Sequence, residues 1–116
     1  MSANDRAARE QRKSERFAVT GIVRVIDVPT GQEIGQLVNI SQEGLMILGT
    51  RKIPESSIMQ LSLVGESADG GQQSISIGVE SLWSQASNDN TQHWTGFCII
   101  DISEQDRQRM MELAGR

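Results

Sequence analysis

The chain has 116 residues, a formal net charge of −4, 37% hydrophobic residues and 3% aromatic residues. This length fits one domain with one modest core, which Ile, Val, Leu and Met must fill because aromatic residues are so few. The only cysteine is Cys98 and the only histidine is His93, which excludes an internal disulfide and a Cys/His zinc site. No segment approaches the roughly 18 consecutive apolar residues of a membrane-spanning helix, and the start lacks the apolar stretch of a signal peptide. We therefore expect a cytoplasmic protein that does not insert into a membrane.

The first 16 residues differ in character from the rest of the chain. They carry five Lys or Arg residues against three Asp or Glu, so this segment has a charge of +2 and the remaining chain −6. They contain almost no side chain that could enter a core, and such a segment usually forms a mobile arm. We predict a flexible basic N-terminal arm over residues 1–16 and a folded domain over residues 17–116.

Short apolar runs with turn residues between them predict strands through most of the folded domain. The first run is "FAVTGIVRVIDV", with Gly21 as a bend or bulge, and the turn "PTG" follows it. Two further runs, residues 34–40 and 44–49, flank the polar hexapeptide "NISQEG" and suggest strands joined at a corner. Three more strands are predicted around "IMQLSLVG", "SISIGVESLW" and "HWTGFCIID", separated by the turn signals "SADGG" and "SNDN".

The last segment changes from the period of a strand to that of a helix. Ser103, with Asp106 three residues later, resembles a capping box, and Met110, Leu113 and Ala114 then lie on one helical face. Six or so short strands followed by one terminal helix indicate a mostly β protein, either a small antiparallel β-barrel or a sandwich.

The residues that catalysis needs are scarce. The sequence has no Gly-rich phosphate loop, its acidic residues are scattered through turns, and His93 is the one candidate for a histidine base. Cys98 is most simply a small core residue, and Trp94 and Phe97 are assigned structural roles. We expect neither an enzyme nor a metal-binding protein.

Two arginines spaced four residues apart precede the first strand. Arg12 and Arg16, with Lys13 beside the first, offer charged donors suited to phosphate oxygens or, for the arginines, to the O6/N7 edge of guanine. Taken alone, such a pair in a basic segment is far more often solvent-exposed charge. The same discount applies to the ordinary turn-forming residues of the hexapeptide, Asn39, Ser41 and Gly44.

The combination of the two motifs is more specific than either motif. Arg12-x-x-x-Arg16, then 22 residues, then "NISQEG" inside a predicted β domain resembles the PilZ domain, the bacterial receptor for cyclic di-GMP. The segments "GLMI", "VESLW", "WTGFCIIDIS" and "SEQDRQRMMELA" are similar to successive parts of the same family. The resemblance implies a small six-stranded antiparallel β-barrel with a C-terminal α-helix and a flexible N-terminal arm.

The resemblance also implies a binding site for cyclic di-GMP made from both motifs. This ligand has two phosphates and two guanines, for which Arg12 and Arg16 would supply both positive charge and planar donors, and Lys13 is a further ligand-binding candidate. Lys13 stands where the family often has another arginine. Asn39 stands where the family often has aspartate, an alternative that the family accepts.

The hexapeptide and one tryptophan complete the expected site. Asn39 would offer an amide to a guanine edge, Ser41 a hydroxyl, and Gly44 a backbone free of a Cβ clash. Trp83 lies late in its predicted strand, where it either borders the ligand or plugs the end of the barrel.

The function that the resemblance implies is a cytoplasmic receptor that passes the signal to another protein, with no cofactor besides its ligand. One alternative is an adaptor of the same fold that does not bind nucleotide, which the intact arginines oppose. A second is a β-barrel that binds nucleic acid, which the charge of −6 on the folded part and the few aromatic residues disfavour. We therefore expect no DNA or RNA partner.

Overall fold

The computed structural model describes residues 15–66 and 70–115. Arg12, Lys13 and most of the predicted arm lie outside the described residues. The described part contains seven strands and one helix: β1 (Phe17–Ala18), β2 (Arg24–Asp27), β3 (Gln32–Ile40), β4 (Gly44–Gly49), β5 (Ile58–Glu66), β6 (Gln72–Ala86), β7 (His93–Asp101) and α1 (Glu104–Glu112). Within these residues, no helix is both long enough and apolar enough to span a membrane.

The strands form one antiparallel sheet that closes on itself. The order β3-β2-β5-β6-β7-β4 is completed by pairing between β4 and β3, and the short β1 adds to β3 beyond the end of β2. Closure removes the exposed sheet edges that an open sheet would present. The predicted six-stranded antiparallel barrel with a C-terminal helix is confirmed, and the sandwich is not the architecture that forms.

The core is aliphatic except for one ring. Alternate residues of the strands point into the barrel, where Phe97 packs among the almost fully buried side chains of Val25, Ile40, Leu45, Ile47, Leu61, Leu63, Ile75, Ile77 and Val79. Helix α1 adds Met110 and Leu113 to the same cluster. Each such side chain contributes about 1.5–3 kcal/mol by leaving water, so these alternating positions dominate the stability of the barrel.

A glycine divides the first predicted strand into β1 and β2. Gly21 has a φ of 77°, in the left-handed region that glycine adopts without a Cβ clash. Both halves stay on β3, because the Val19 N–H donates to the Val38 carbonyl at 3.2 Å and the Leu37 N–H to the Val23 carbonyl at 2.9 Å. The predicted bend is confirmed, and it holds the start of the described chain against the end of β3.

Helix α1 is tied to the barrel at both ends. The Ser103 hydroxyl accepts a hydrogen bond from the Asp106 N–H at 3.0 Å, as the predicted cap requires. The Asp106 carboxylate accepts from the Ser76 N–H of β6 at 3.4 Å, so this side chain links the helix start to the sheet. At the other end, the Leu113 carbonyl accepts from both the N–H and the hydroxyl of Thr20, each at 3.0 Å.

Candidate ligand-binding site

The connection between β3 and β4, residues 41–43, is organised by one serine. Ser41 is 4% exposed, and its hydroxyl oxygen accepts hydrogen bonds from the N–H groups of Gly44 at 3.0 Å and Glu43 at 3.3 Å. Its own N–H donates to the Gly44 carbonyl at 2.8 Å. Serine stabilises turns by such local bonds. The structure therefore gives Ser41 the role of shaping the turn, and its contact with a ligand stays a prediction.

The close approach of strand β7 requires a glycine at position 44. Gly44 pairs with Cys98 of β7, and a Cβ at this position would lie 2.5 Å from the Phe97 carbonyl oxygen. It is not among the glycines of positive φ in the described chain. The absence of a side chain at Gly44 thus allows a close approach of two protein strands, which fixes where the turn sits on the barrel.

The two motifs meet at the end of β3. Phe17 pairs with Ile40 and Ala18 with Asn39, which brings the preceding Arg16 beside the hexapeptide. The Arg16 Nη1 donates to the Asn39 Oδ1 at 2.9 Å, and both residues are half-buried. This bond leaves the amide nitrogen of Asn39 and the other guanidinium N–H groups of Arg16 as donors. The first and second motifs, 23 residues apart in sequence, form one polar cluster.

A row of outward-facing positions begins at Asn39 and crosses four neighbouring strands. Asn39 pairs with Met46, Met46 with Gly96, and Gly96 with Trp83. Their chain neighbours Ile40, Leu45 and Phe97 point into the core, which places the row on the outer face of the barrel, where Gly96 is itself buried under the Trp83 indole. With strands about 4.8 Å apart, the row spans about 14 Å.

Trp83 reaches this outer face because of a bulge. The register shifts between Ser81 and Trp83, so one extra residue reverses the alternation after the buried Ser81. The indole then covers Gly96, where a Cβ would collide with the ring. Trp83 is half-buried on the outside and does not fill the barrel interior, so the plug interpretation does not describe its position. Its contact with a ligand remains a prediction.

Sequence reasoning missed two residues near the site. Met46 lies in an apolar run that does not distinguish it from its neighbours, and its place between Asn39 and Gly96 follows from strand register. Arg107 of α1 donates from Nη1 to the Gln42 carbonyl of the turn. Nothing in the local pattern distinguishes Arg107 from other polar helix residues, so no sequence signal was available for this contact.

The side chains that could hold a metal ion are dispersed over the described part of the chain. Across residues 15–66 and 70–115, no three His, Cys, Asp or Glu side chains are grouped as a metal ion would need. The groups that meet at Arg16 are its guanidinium and the side-chain amide of Asn39. Such donors suit an anionic ligand or a nucleobase edge.

The fold and the meeting of the two motifs define a small antiparallel barrel domain with a polar cluster at the end of one strand. The sequence model of the PilZ domain matches residues 10–115, and the chain belongs to the PilZ family. No curated protein matches the chain.

Three solved structures share this fold at low sequence identity. The inhibitor of motility MotI/DgrA of Bacillus subtilis is 14% identical with a TM-score of 0.68, over 91% of this chain and 50% of that one. The PilZ domain of YcgR from Escherichia coli, solved with cyclic di-GMP, is 11% identical with a TM-score of 0.61, over 90% of this chain and 89% of that one. MrkH of K. pneumonia in its apo state is 12% identical with a TM-score of 0.57, over 85% of this chain and 47% of that one. The chain thus spans about half the length of MotI/DgrA and of MrkH.

Proposed function

We propose that this protein binds cyclic di-GMP where Arg16 meets Asn39 and relays the signal to a partner protein in the cytoplasm, without catalysing a reaction. The observation that carries the proposal is the 2.9 Å hydrogen bond between these two side chains. It unites the two motifs whose order and spacing resemble the family pattern. Membership in the PilZ family supports the same ligand, with which the PilZ domain of YcgR was solved.

The chemistry of the cluster suits both parts of the ligand. The Arg16 guanidinium uses one donor on Asn39 and keeps others, whose fork geometry matches phosphate oxygens or the O6 and N7 atoms of guanine. The Asn39 amide nitrogen can donate to the same guanine edge. We propose that Arg12 and Lys13, which lie outside the described residues, add positive charge toward the phosphates, since anions gain most from charged donors.

The outer face of the barrel beyond Asn39 offers an apolar surface. Met46 and Trp83 are half-buried there and flank Gly96. We propose that the ligand reaches along this row, because a guanine plane gains about 1–3 kcal/mol by stacking on an aromatic side chain. Ser41 and Gly44 would act by holding the turn in place. A direct contact between the Ser41 hydroxyl and the ligand would add to this role.

Isothermal titration calorimetry tests the proposal directly. We expect cyclic di-GMP to bind at micromolar affinity or better, about −8 kcal/mol or more favourable. Cyclic di-AMP serves as the control, since it carries the same phosphates without the guanine edges. Absence of heat with cyclic di-GMP, or equal affinity for both dinucleotides, would contradict a guanine-reading site.

The alternative is an adaptor of the same fold that does not bind nucleotide. It predicts no heat with either dinucleotide and an unchanged melting temperature in their presence. The donors that Arg16 and Asn39 keep beyond their mutual bond argue against it, because a purely structural pairing would not need an arginine fork.

A further inference from the structure

The turn of residues 41–43, called the ligand turn below, is held by three sets of hydrogen bonds, one within it and two from other elements. Ser41 holds it from within through the N–H groups of Glu43 and Gly44. The Ile99 N–H of β7 donates to the Glu43 carbonyl at 2.8 Å and holds it to the sheet. The third bond comes from α1, where Arg107 donates to the Gln42 carbonyl from 65 residues away in sequence.

The Arg107 bond constrains the orientation of the turn. Gln42 is exposed, so water could satisfy its carbonyl without any protein donor. In the described part of the chain, ion pairs join Arg109 to Asp106 and Arg24 to Glu33, whereas Arg107 donates to the Gln42 carbonyl. A charged donor makes a stronger hydrogen bond than a neutral one. The contact therefore favours a turn that lies close to α1.

Helix α1 contacts the other half of the candidate site as well. Thr20, which donates twice to the Leu113 carbonyl, follows β1 by two residues. Ala18 of β1 pairs with Asn39, and Arg16 immediately precedes β1. Through its C-cap residue Leu113, the helix thus touches the segment that follows the first motif, and through Arg107 it touches the turn that carries the second.

We propose that Arg107 is a positioning residue through which α1 holds the ligand turn in its binding arrangement, so that ligand binding in turn strengthens the docking of α1. This inference rests on the proposed function. If docked α1 favours the competent turn, linkage requires the ligand to stabilise docked α1 by the same factor. The effect reaches an exposed surface, since Glu104, Gln108 and Glu112 of α1 are all exposed.

The first test compares the affinities of four proteins for cyclic di-GMP by calorimetry. Losing the bond lowers the populated fraction of the competent turn, and we expect Arg107→Ala to bind about three- to tenfold more weakly. Arg107→Lys, which keeps a charged donor, should recover part of this loss. Arg109→Ala removes an equal charge from the same helix but spares the turn, so its affinity should stay within about twofold of the wild type.

The second test is amide hydrogen exchange, with β5 (Ile58–Glu66) as the internal reference for global opening. In the wild type, saturating cyclic di-GMP should slow exchange in α1 (Glu104–Glu112) by a larger factor than in β5. This excess protection of α1 should disappear in Arg107→Ala and persist in Arg109→Ala. A residue with only a structural role would lower basal protection without removing the excess caused by the ligand.

The outcomes separate this inference from the function on which it rests. A wild-type protein that does not bind cyclic di-GMP overturns both. A wild type that binds, with Arg107→Ala equal to Arg109→Ala in affinity or with wild-type excess protection of α1, overturns the coupling alone. If Arg107→Ala does not fold, Arg107→Gln, which keeps a neutral donor, takes its place under the same criteria.

Discussion

Arg16 occupies the boundary between the predicted arm and the barrel. It is the last residue of the segment predicted as a flexible arm, yet its guanidinium is half-buried and bonded to Asn39. The extent of flexibility over the preceding residues stays a prediction. At Arg16 itself, the pairing of β1 with β3 fixes the backbone only one residue later. A site residue can therefore be anchored by the fold and still keep donors for a ligand.

Substitution of either motif arginine should weaken ligand binding. If a bidentate guanine contact is lost, Arg12→Ala and Arg16→Ala should each cost about 1–3 kcal/mol of binding free energy, measured by calorimetry. Arg16→Ala should also lower the free energy of unfolding by about 0.5–1.5 kcal/mol, because it loses the Asn39 bond. Arg24→Ala is the matched control, since Arg24 forms an exposed pair with Glu33 on β3. Unchanged affinity in both motif variants would refute the assignment.

Trp83 offers a spectroscopic prediction. If the ligand extends along the outer row, intrinsic fluorescence should change on titration with cyclic di-GMP, because the half-buried indole lies in that row. The change should vanish in Trp83→Phe, which retains Trp94. A signal that survives in this variant would assign the response to Trp94 and leave Trp83 as a cover for Gly96.

At the scale of elements, two turns of this barrel are organised by hydrogen bonds to the side-chain oxygen of one residue each. Ser41 binds the N–H groups that follow it between β3 and β4. Asp89 does the same between β6 and β7, where it accepts from the hydroxyls of Ser87 and Thr91 and from the Thr91 N–H. Such bonds satisfy backbone N–H groups that, in a tight connection, cannot pair within the sheet.

Ser41→Ala should destabilise the barrel measurably. The change leaves the buried Gly44 N–H without its hydroxyl acceptor, which costs about 1–3 kcal/mol in the free energy of unfolding measured with urea. Ser62→Ala is the control. It removes an exposed hydroxyl pair with Ser74 across β5 and β6, and it should change stability by no more than about 0.5 kcal/mol. Equal effects of the two substitutions would show that the ligand turn does not depend on Ser41.

The β6–β7 hairpin should respond to acid through Asp89. Hydrogen bonds from the Thr91 side chain, the Ser87 side chain and the Thr91 backbone lower the pKa of Asp89 from 3.8 to about 2. Since the folded-state pKa lies below the ordinary value, this stabilisation is present above pH 3.8 and is lost as the pH falls through about 2. Melting temperatures of the wild type and Asp89→Asn should therefore converge over this window. Parallel pH profiles would contradict the prediction.

At the scale of the whole molecule, the N-terminal segment and the rest of the chain carry net charges of opposite sign. Residues 1–16 carry a charge of +2 and residues 17–116 carry −6. A dianionic ligand would be repelled by the folded part as a whole, so we expect the basic residues at and before Arg16 to supply the attraction. Binding should weaken with rising salt, because opposite charges near the surface are screened.

Limited trypsin digestion tests whether ligand binding engages the N-terminal arm. Fixing a residue costs about 1–2 kcal/mol of backbone entropy, so only the stretch around the arginines should become protected. Cleavage after Arg12 and Lys13 should slow many-fold at saturating cyclic di-GMP, while cleavage after Arg6 should change little. Equal cleavage rates with and without ligand, under conditions where calorimetry detects binding, would contradict ordering of the arm without contradicting the rest of the site assignment.

Local patterns in the sequence predicted most of the elements. The strands at Gly44–Gly49 and His93–Asp101 coincide with the predicted apolar runs, and the bend at Gly21 and the cap at Ser103 occur as expected. These features depend on residue periodicity and on the conformational preferences of single residues. Both motifs can be recognised in the sequence because each is a short local pattern, but of the two arginines of the first motif only Arg16 lies among the described residues.

Contacts between distant segments were decided by the tertiary structure alone. The bulge after Ser81 moves Trp83 to the outer face, against the alternation that the sequence suggests. The bonds from Arg16 to Asn39 and from Arg107 to Gln42 depend on which strands pair, in which register, and on where α1 packs. A contact between residues that are 23 or 65 positions apart produces no periodic pattern in the local sequence around either residue. The pairing of β1 with β3 brings Arg16 to Asn39, and the packing of α1 against the barrel brings Arg107 to Gln42, because burying the aliphatic core selects one strand order, one register and one position for the helix.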